Sequence, residues 1–218
     1  QELGPAPHLH RLDLSVTAVT YGEAHGEYQK LRRKFAIEAY RTTASYDIAV
    51  STWLNSVSDD QLIPDWIGNS YSHSATLRYG ENPHQTGARY RLPGVESWWD
   101  AAVQLNGKEM SYLNVLDTEA AWQLVSRFDQ PAAVIVKHAN PCGVAIASTI
   151  FEAYTQAHEA DPVSAFGGIV AVNGEVNADT ARAISEIFTE VVVAPSFSAD
   201  ALEILSKKDN RRLIARAA

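Results

Sequence analysis

The chain has 218 residues, 46% of them hydrophobic, and a formal net charge of -8. That length suits one large domain or one and a half average ones, and the apolar content excludes global disorder. The acidic balance argues against a nucleic-acid-binding surface, although one or two local Arg or Lys side chains can still hold a phosphate. In chain order, residues 1–26 present no assignable pattern. From Glu27 to about Asn55, Leu31, Phe35, Ile37, Tyr40, Ala44, Ile48 and Trp53 recur at helical spacing, which predicts a long helix. Lys30, Arg32, Arg33, Lys34 and Arg41 fall on other faces and read as a solvated surface. Residues 55–70, with Pro64, Gly68 and several Ser, Asp and Asn, read as a linker carrying a domain boundary.

Beyond the linker the period changes. Short strands are predicted at Thr76–Tyr79 and Ala88–Leu92, with Gly-Glu-Asn-Pro turn chemistry between them. A helix over Leu113–Phe128 precedes a buried strand at 132–136 and a helix near 150–160. The strand Gly168–Val172, helix Ala178–Phe188, strand Val191–Ala194, helix Ala199–Lys207 and strand Arg212–Ala215 complete the chain. This alternation predicts an α/β layer structure preceded by a long helix. No apolar run approaches the length of a membrane helix. The opening residues 1–7 lack the basic-then-apolar order of a secretory signal, and Cys142 is the single cysteine. Together these features predict part of a longer, soluble, cytoplasmic chain.

Chemistry concentrates at segment edges. Lys137-His138-Ala139-Asn140-Pro141-Cys142-Gly143 follow a buried-strand run. Adjacent strand residues point to opposite faces, so Lys137 and His138 serve one pocket only if the chain bends there, as Pro141 and Gly143 favour. An imidazole so placed can take a proton from a weakly nucleophilic amine, and a lysine beside it can stabilise an oxyanion. Equally, Lys137 can be a solvated strand-end residue and His138 a structural one. Cys142 reads as a small buried hydrophobe in a tight turn rather than a nucleophile. His138 to Cys142 also carries pieces of the zinc-deaminase signature, but Asn140 holds the Glu place and no second cysteine exists, so no metal is expected.

Arg78 and Tyr79 can grip a phosphate, or Arg78 can be an ordinary surface residue. His84 reads as a turn residue. The segment Ser164–Gly168 can let a ligand approach the backbone closely, but it has neither dinucleotide-loop nor P-loop spacing. Asn114 can read a polar ring substituent or cap a helix.

Four ordered motifs carry a resemblance: Leu77–Gln85, Lys137–Gly143, Asp161–Gly168 and Glu190–Pro195. From about residue 31 onward the chain resembles the bifunctional purine-biosynthesis family of AICAR transformylase/IMP cyclohydrolase. The helix through Ala44–Ala49 resembles the last helix of that family's cyclohydrolase part. The resemblance implies a cytidine-deaminase-like layered sheet at 71–218 and the tail of the cyclohydrolase domain, with a linker, at 1–70. It implies formyl transfer from 10-formyltetrahydrofolate to the 5-amino group of AICAR, with His138 as proton acceptor and Lys137 as transition-state stabiliser. Arg78, Tyr79, Asn114, Gly167 and Glu190 would contact the ribonucleotide, and the site would be built across a homodimer. No nucleic acid or membrane partner is implied. The competing readings are a zinc deaminase and a non-catalytic nucleotide-binding or dimerisation module with the same fold.

Overall fold

The computed structural model of the chain describes residues 21–57 and 63–216. It divides into two compact units, residues 1–70 and 71–218. Among its described residues the first holds one helix, α1 (Tyr21–Val57). It starts earlier than the apolar spacing predicts: residues 21–26, read as irregular, are its first turns. Gly22 and Gly26 obscure the pattern, but an interior glycine costs only about 1 kcal/mol against alanine, which a helix of this length absorbs. Phe35, Ile48 and Val50 are half-buried, whereas the basic side chains lie in solvent, Lys30 pairing with Glu27 at 2.7 Å. The expectations for residues 1–20 and for linker residues 58–62 lie outside the described residues; 63–70 form no helix or strand.

The second unit opens with an antiparallel pair, β1 (Ser72–Leu77) and β2 (Gly87–Arg91). The first strand lies earlier than predicted and ends before Arg78, so Arg78 and Tyr79 belong to the following turn. A 3₁₀ turn at Trp98–Asp100 leads into β3 (Ala102–Asn106), neither of which the sequence reading anticipated. Then come α2 (Tyr112–Val125), β4 (Ala132–Lys137), β5 (Asn140–Ile146), α3 (Ile150–Ala160) and α4 (Pro162–Ala165). The order ends with β6 (Ile169–Val172), α5 (Ala178–Ser185), β7 (Val191–Ala194), α6 (Ala199–Ser206) and β8 (Arg212–Arg216). The predicted α5 overruns: the helix stops at Ser185, and Ile187 and Phe188 lie beyond it.

Six strands form one mixed sheet in the order β3-β8-β7-β6-β4-β5. β6, β7 and β8 are parallel; β3, β4 and β5 pair antiparallel with their neighbours. The central strands are buried on both faces, which is why they read as unbroken apolar runs. On one face Ile135, Val170, Val192 and Leu213 pack beneath α3, α5 and α6. On the other, Val134, Val136, Val191 and Ile214 pack beneath α2 and the indoles of Trp98, Trp99 and Trp122. Each fully buried Val, Leu or Ile contributes about 1.5–3 kcal/mol, so this double core holds the strand ends in place. Gly143 permits the close approach of α3 to β5: a Cβ there would run into the Ala157 carbonyl oxygen.

Register sets the working edge. Val136 pairs with Ile169, Ile169 with Val191 and Val191 with Arg212. The end of β4 and the starts of β6, β7 and β8 therefore lie side by side, bringing Lys137, Gly168, Glu190 and Arg212 to one edge of the sheet.

Candidate functional site

The bend expected after β4 is a two-residue hairpin, not an open loop. His138 and Ala139 turn the chain with φ of 55° and 58°. Two successive left-handed residues are the mark of a type I′ turn, where Asn-Gly is usual because side chains strain that conformation. Asp117, on α2 and 8% exposed, holds the turn. Its carboxylate accepts the His138 N–H at 3.1 Å and the Ala139 N–H at 2.8 Å. Asn140 Nδ2 closes the turn by donating to the His138 carbonyl at 2.8 Å. His138 is exposed, whereas Lys137 is half-buried and donates from Nζ to the Phe166 carbonyl at 2.8 Å.

Pro141 and Gly143, read as turn residues, instead lie in β5. An edge strand tolerates proline. The register slips between Ile135 and Val136, leaving Cys142 opposite no partner, in a bulge. Cys142 packs against the core beneath α3, and burial pushes its thiol up, away from the reactive thiolate. The structure thus gives it the packing role.

The other expected residues join through backbone and side-chain contacts. Arg78 N–H donates to the Met110 carbonyl at 2.9 Å, and Tyr112 N–H to the Tyr79 carbonyl at 3.0 Å. The exposed Arg78 guanidinium lies over the Tyr79 ring at 5.5 Å. Ser111 caps α2, and Asn114 completes a capping box by accepting from Ser111 N–H at 3.2 Å. The cap reading of Asn114 is therefore the one its oxygen fulfils, and its amide nitrogen stays available. Asn114 and Asp117 are one helical turn apart, on the same face.

Gly167 adopts φ 76°, a left-handed value that disfavours any side chain. Its N–H donates to the Phe188 carbonyl at 2.7 Å, and Glu190 N–H donates to the Gly168 carbonyl at 3.1 Å. Glu190 accepts from Arg212 Nη1 at 2.7 Å. Arg212, 3% exposed, also donates to the carbonyls of Lys108 and Glu109 at 3.1 and 3.0 Å. Glu109 precedes Met110, which binds Arg78. The expected site residues thus lie on one closed circuit of contacts: Arg78 to Met110, α2 to His138, Lys137 to Phe166, Gly167 to Phe188, and Glu190 through Arg212 back to Glu109.

Sequence reading passed over two charged side chains that tie the circuit together, Asp117 and Arg212. A carboxylate within an apolar helix and an arginine opening an apolar strand are the available signals. His84 lies in the Gly80–Gln85 turn, where it is exposed. Among the described residues no three His, Cys, Asp or Glu side chains gather as a metal site, and no helix is long and apolar enough to cross a membrane.

The family model for the AICARFT/IMPCHase bienzyme matches residues 16–218. The chain belongs to that family. It is 46% identical over 200 residues to the bifunctional purine biosynthesis protein PurH of Listeria monocytogenes serotype 4a (strain HCC23), covering 91% of this chain and 39% of the relative. It is 47% identical over 187 residues to the same-named protein of Bacillus cereus, covering 85% and 36%. The chain thus spans well under half the length of these relatives. Among solved structures, Acinetobacter baumannii RibD superposes on 46% of this chain and 32% of its own, at 16% identity and a TM-score of 0.35. A formate dehydrogenase accessory protein of Desulfotalea psychrophila covers 68% and 69%, at 11% identity and a TM-score of 0.40.

Proposed function

We propose that the chain is part of a purine-biosynthesis enzyme and carries the nucleotide side of a formyl-transfer site. The observation that supports this reading is the series of contacts that links the segments of Arg78, Asn114, Lys137, His138, Gly167 and Glu190. The substrate is AICAR and the formyl donor is 10-formyltetrahydrofolate. The 5-amino nitrogen bonds to the formyl carbon, His138 takes the proton the amine gives up, and the carbon–N10 bond of the folate breaks as N10 takes a proton. Lys137 spends one of its three N–H groups on the Phe166 carbonyl; the others face the oxygen that becomes negative. Arg78 and Tyr79 hold the phosphate, and the free oxygen of Glu190 accepts from ribose hydroxyls. The Asn114 amide and the Gly167 backbone lie along the nucleotide. Phe166 and Phe188, 59% and 46% exposed with ring centroids 5.5 Å apart and planes tilted by 50°, offer an apolar, aromatic surface to the folate rings.

In this reading residues 71–218 are the first cytidine-deaminase-like subdomain of a transformylase domain. Residues 1–70 are the tail of the cyclohydrolase domain and its linker. The mixed sheet between helical layers supports that assignment, as does the hairpin built from pieces of the deaminase signature. Arg78 and His138 are exposed, consistent with a site closed by a second subunit in a cytoplasmic homodimer. The same exposure favours, as a second reading, a binding platform that holds nucleotide without turnover.

Calorimetric titration of the chain with AICAR, beside a Lys137→Ala, Arg78→Ala double variant, tests the reading. Saturable binding lost in the variant is expected. No heat from a folded wild-type chain would remove the nucleotide role from these residues.

A further inference from the structure

On the opposite side of the strand starts, beneath α5 and α6, Arg211 presents a different problem from its neighbour. Arg212 has a carboxylate partner in Glu190. Arg211 is as deeply buried, 3% exposed, and among the described residues no carboxylate pairs with it. Its Nη1 donates to the Ser185 hydroxyl at 3.1 Å and its Nη2 to the Ile187 carbonyl at 3.4 Å, while Nε has no partner among the described residues. Burial pushes its guanidinium down from the usual arginine value. Two neutral acceptors do not offset the desolvation of a cation, so a buried, unpaired guanidinium calls for an anion.

The surroundings are built for one. Arg211 lines a cavity of about 380 Å³ with Thr189, Lys207, Lys208 and Asn210. The Thr189 hydroxyl belongs to a residue 1% exposed and also lacks a partner among the described residues. Glu186 and Asp209 also line the cavity, so its lining holds three cations and two carboxylates and the balance stays positive. A guanidinium suits a tetrahedral oxyanion because its forked N–H groups bind two oxygens at once.

We propose that this cavity binds a small phosphate group, gripped by Arg211 and Thr189 and flanked by Lys207 and Lys208. The cavity touches the circuit at two points: Phe188 lines it and its carbonyl receives the Gly167 N–H, and the carbonyl of Asn210, also on its lining, accepts from Arg212 Nη1 at 3.4 Å. An occupied cavity would brace segment 185–190, which also carries Glu190. The inference stands on Arg211 and its cavity and does not depend on formyl transfer.

The test is amide-resolved NMR titration of the chain with inorganic phosphate at constant ionic strength, with chloride as control. Saturable shifts are expected at 185–189 and 210–211. Arg211→Met is expected to weaken half-saturation at least about tenfold. Thr189→Val should weaken it less, and it serves as the second variant if Arg211→Met does not fold. Arg78→Ala should leave it unchanged. A parallel titration with ribose 5-phosphate separates the sources: the same Arg211-dependent shifts indicate a phosphate ester, their absence a site for inorganic phosphate. Shifts that are linear, that chloride reproduces, or that survive in both variants would overturn the proposal.

Discussion

Replacing Asp117 by alanine removes the acceptor of two N–H groups in the His138–Ala139 turn. A hydrogen bond to a charged acceptor contributes about 1.5–3 kcal/mol, so the pair supplies about 3–6 kcal/mol. Holding two L-residues left-handed costs about 1–2 kcal/mol each, or about 2–4 kcal/mol for the turn. The carboxylate outweighs the strain by a small margin. Without it the turn should relax out of the left-handed region and recover part of the loss. The net effect expected on unfolding is therefore about 1–3 kcal/mol rather than the whole hydrogen-bond sum. Urea unfolding followed by tryptophan fluorescence measures it. The Cα and Cβ shifts of His138 and Ala139 report whether the turn has changed hand. Adding Ala139→Gly should restore about 1 kcal/mol, because glycine holds φ near 58° without a Cβ penalty. Unchanged stability in Asp117→Ala, with unchanged shifts at 138 and 139, would refute the reasoning.

Arg212→Met leaves Glu190 and the carbonyls of Lys108 and Glu109 without their shared donor; a loss of about 3 kcal/mol is expected by denaturant titration. Gly143→Ala drives a methyl into the Ala157 carbonyl and should cost about 2–3 kcal/mol, with the largest amide shifts in α3. The Cys142 thiol should react with a disulfide reagent at pH 8 at least about tenfold more slowly than free cysteine, and at the free rate after denaturation. Burial pushes the Tyr154 phenol up to about 12. The unfolded phenol releases its proton first, near pH 10, so stability should fall as pH rises from about 10 to 12. Ultraviolet absorbance titration beside melting curves checks both the value and the sign.

The central strands were legible because burial on both faces leaves no polar residues in Ile169–Val172 or Val191–Ala194. β3 escaped because an edge strand with Val103 and Leu105 exposed buries too little to show a period. β5 escaped because Pro141 and Gly143 signal a turn locally, whereas an edge position and the closeness of α3 give them places in a strand. Lys137, His138 and the Gly167 segment could be singled out from sequence because each sits where an apolar run meets turn chemistry, whereas Glu190 entered only through the family resemblance. Asp117 was harder to read: a carboxylate on a helix that also carries Glu119 reads as solvated until the fold sets a hairpin against it. Arg212 likewise gains meaning only when strand register places it beside Glu190.

Amide-resolved mapping of AICAR binding on the 218-residue chain tests the circuit as one site most directly. Concerted, saturable shifts at 78–79, 110–114, 137–139, 167 and 190, titrating with one midpoint, are expected. Shifts confined to one of these segments, or midpoints that differ between them, would contradict a single nucleotide site at this edge of the sheet.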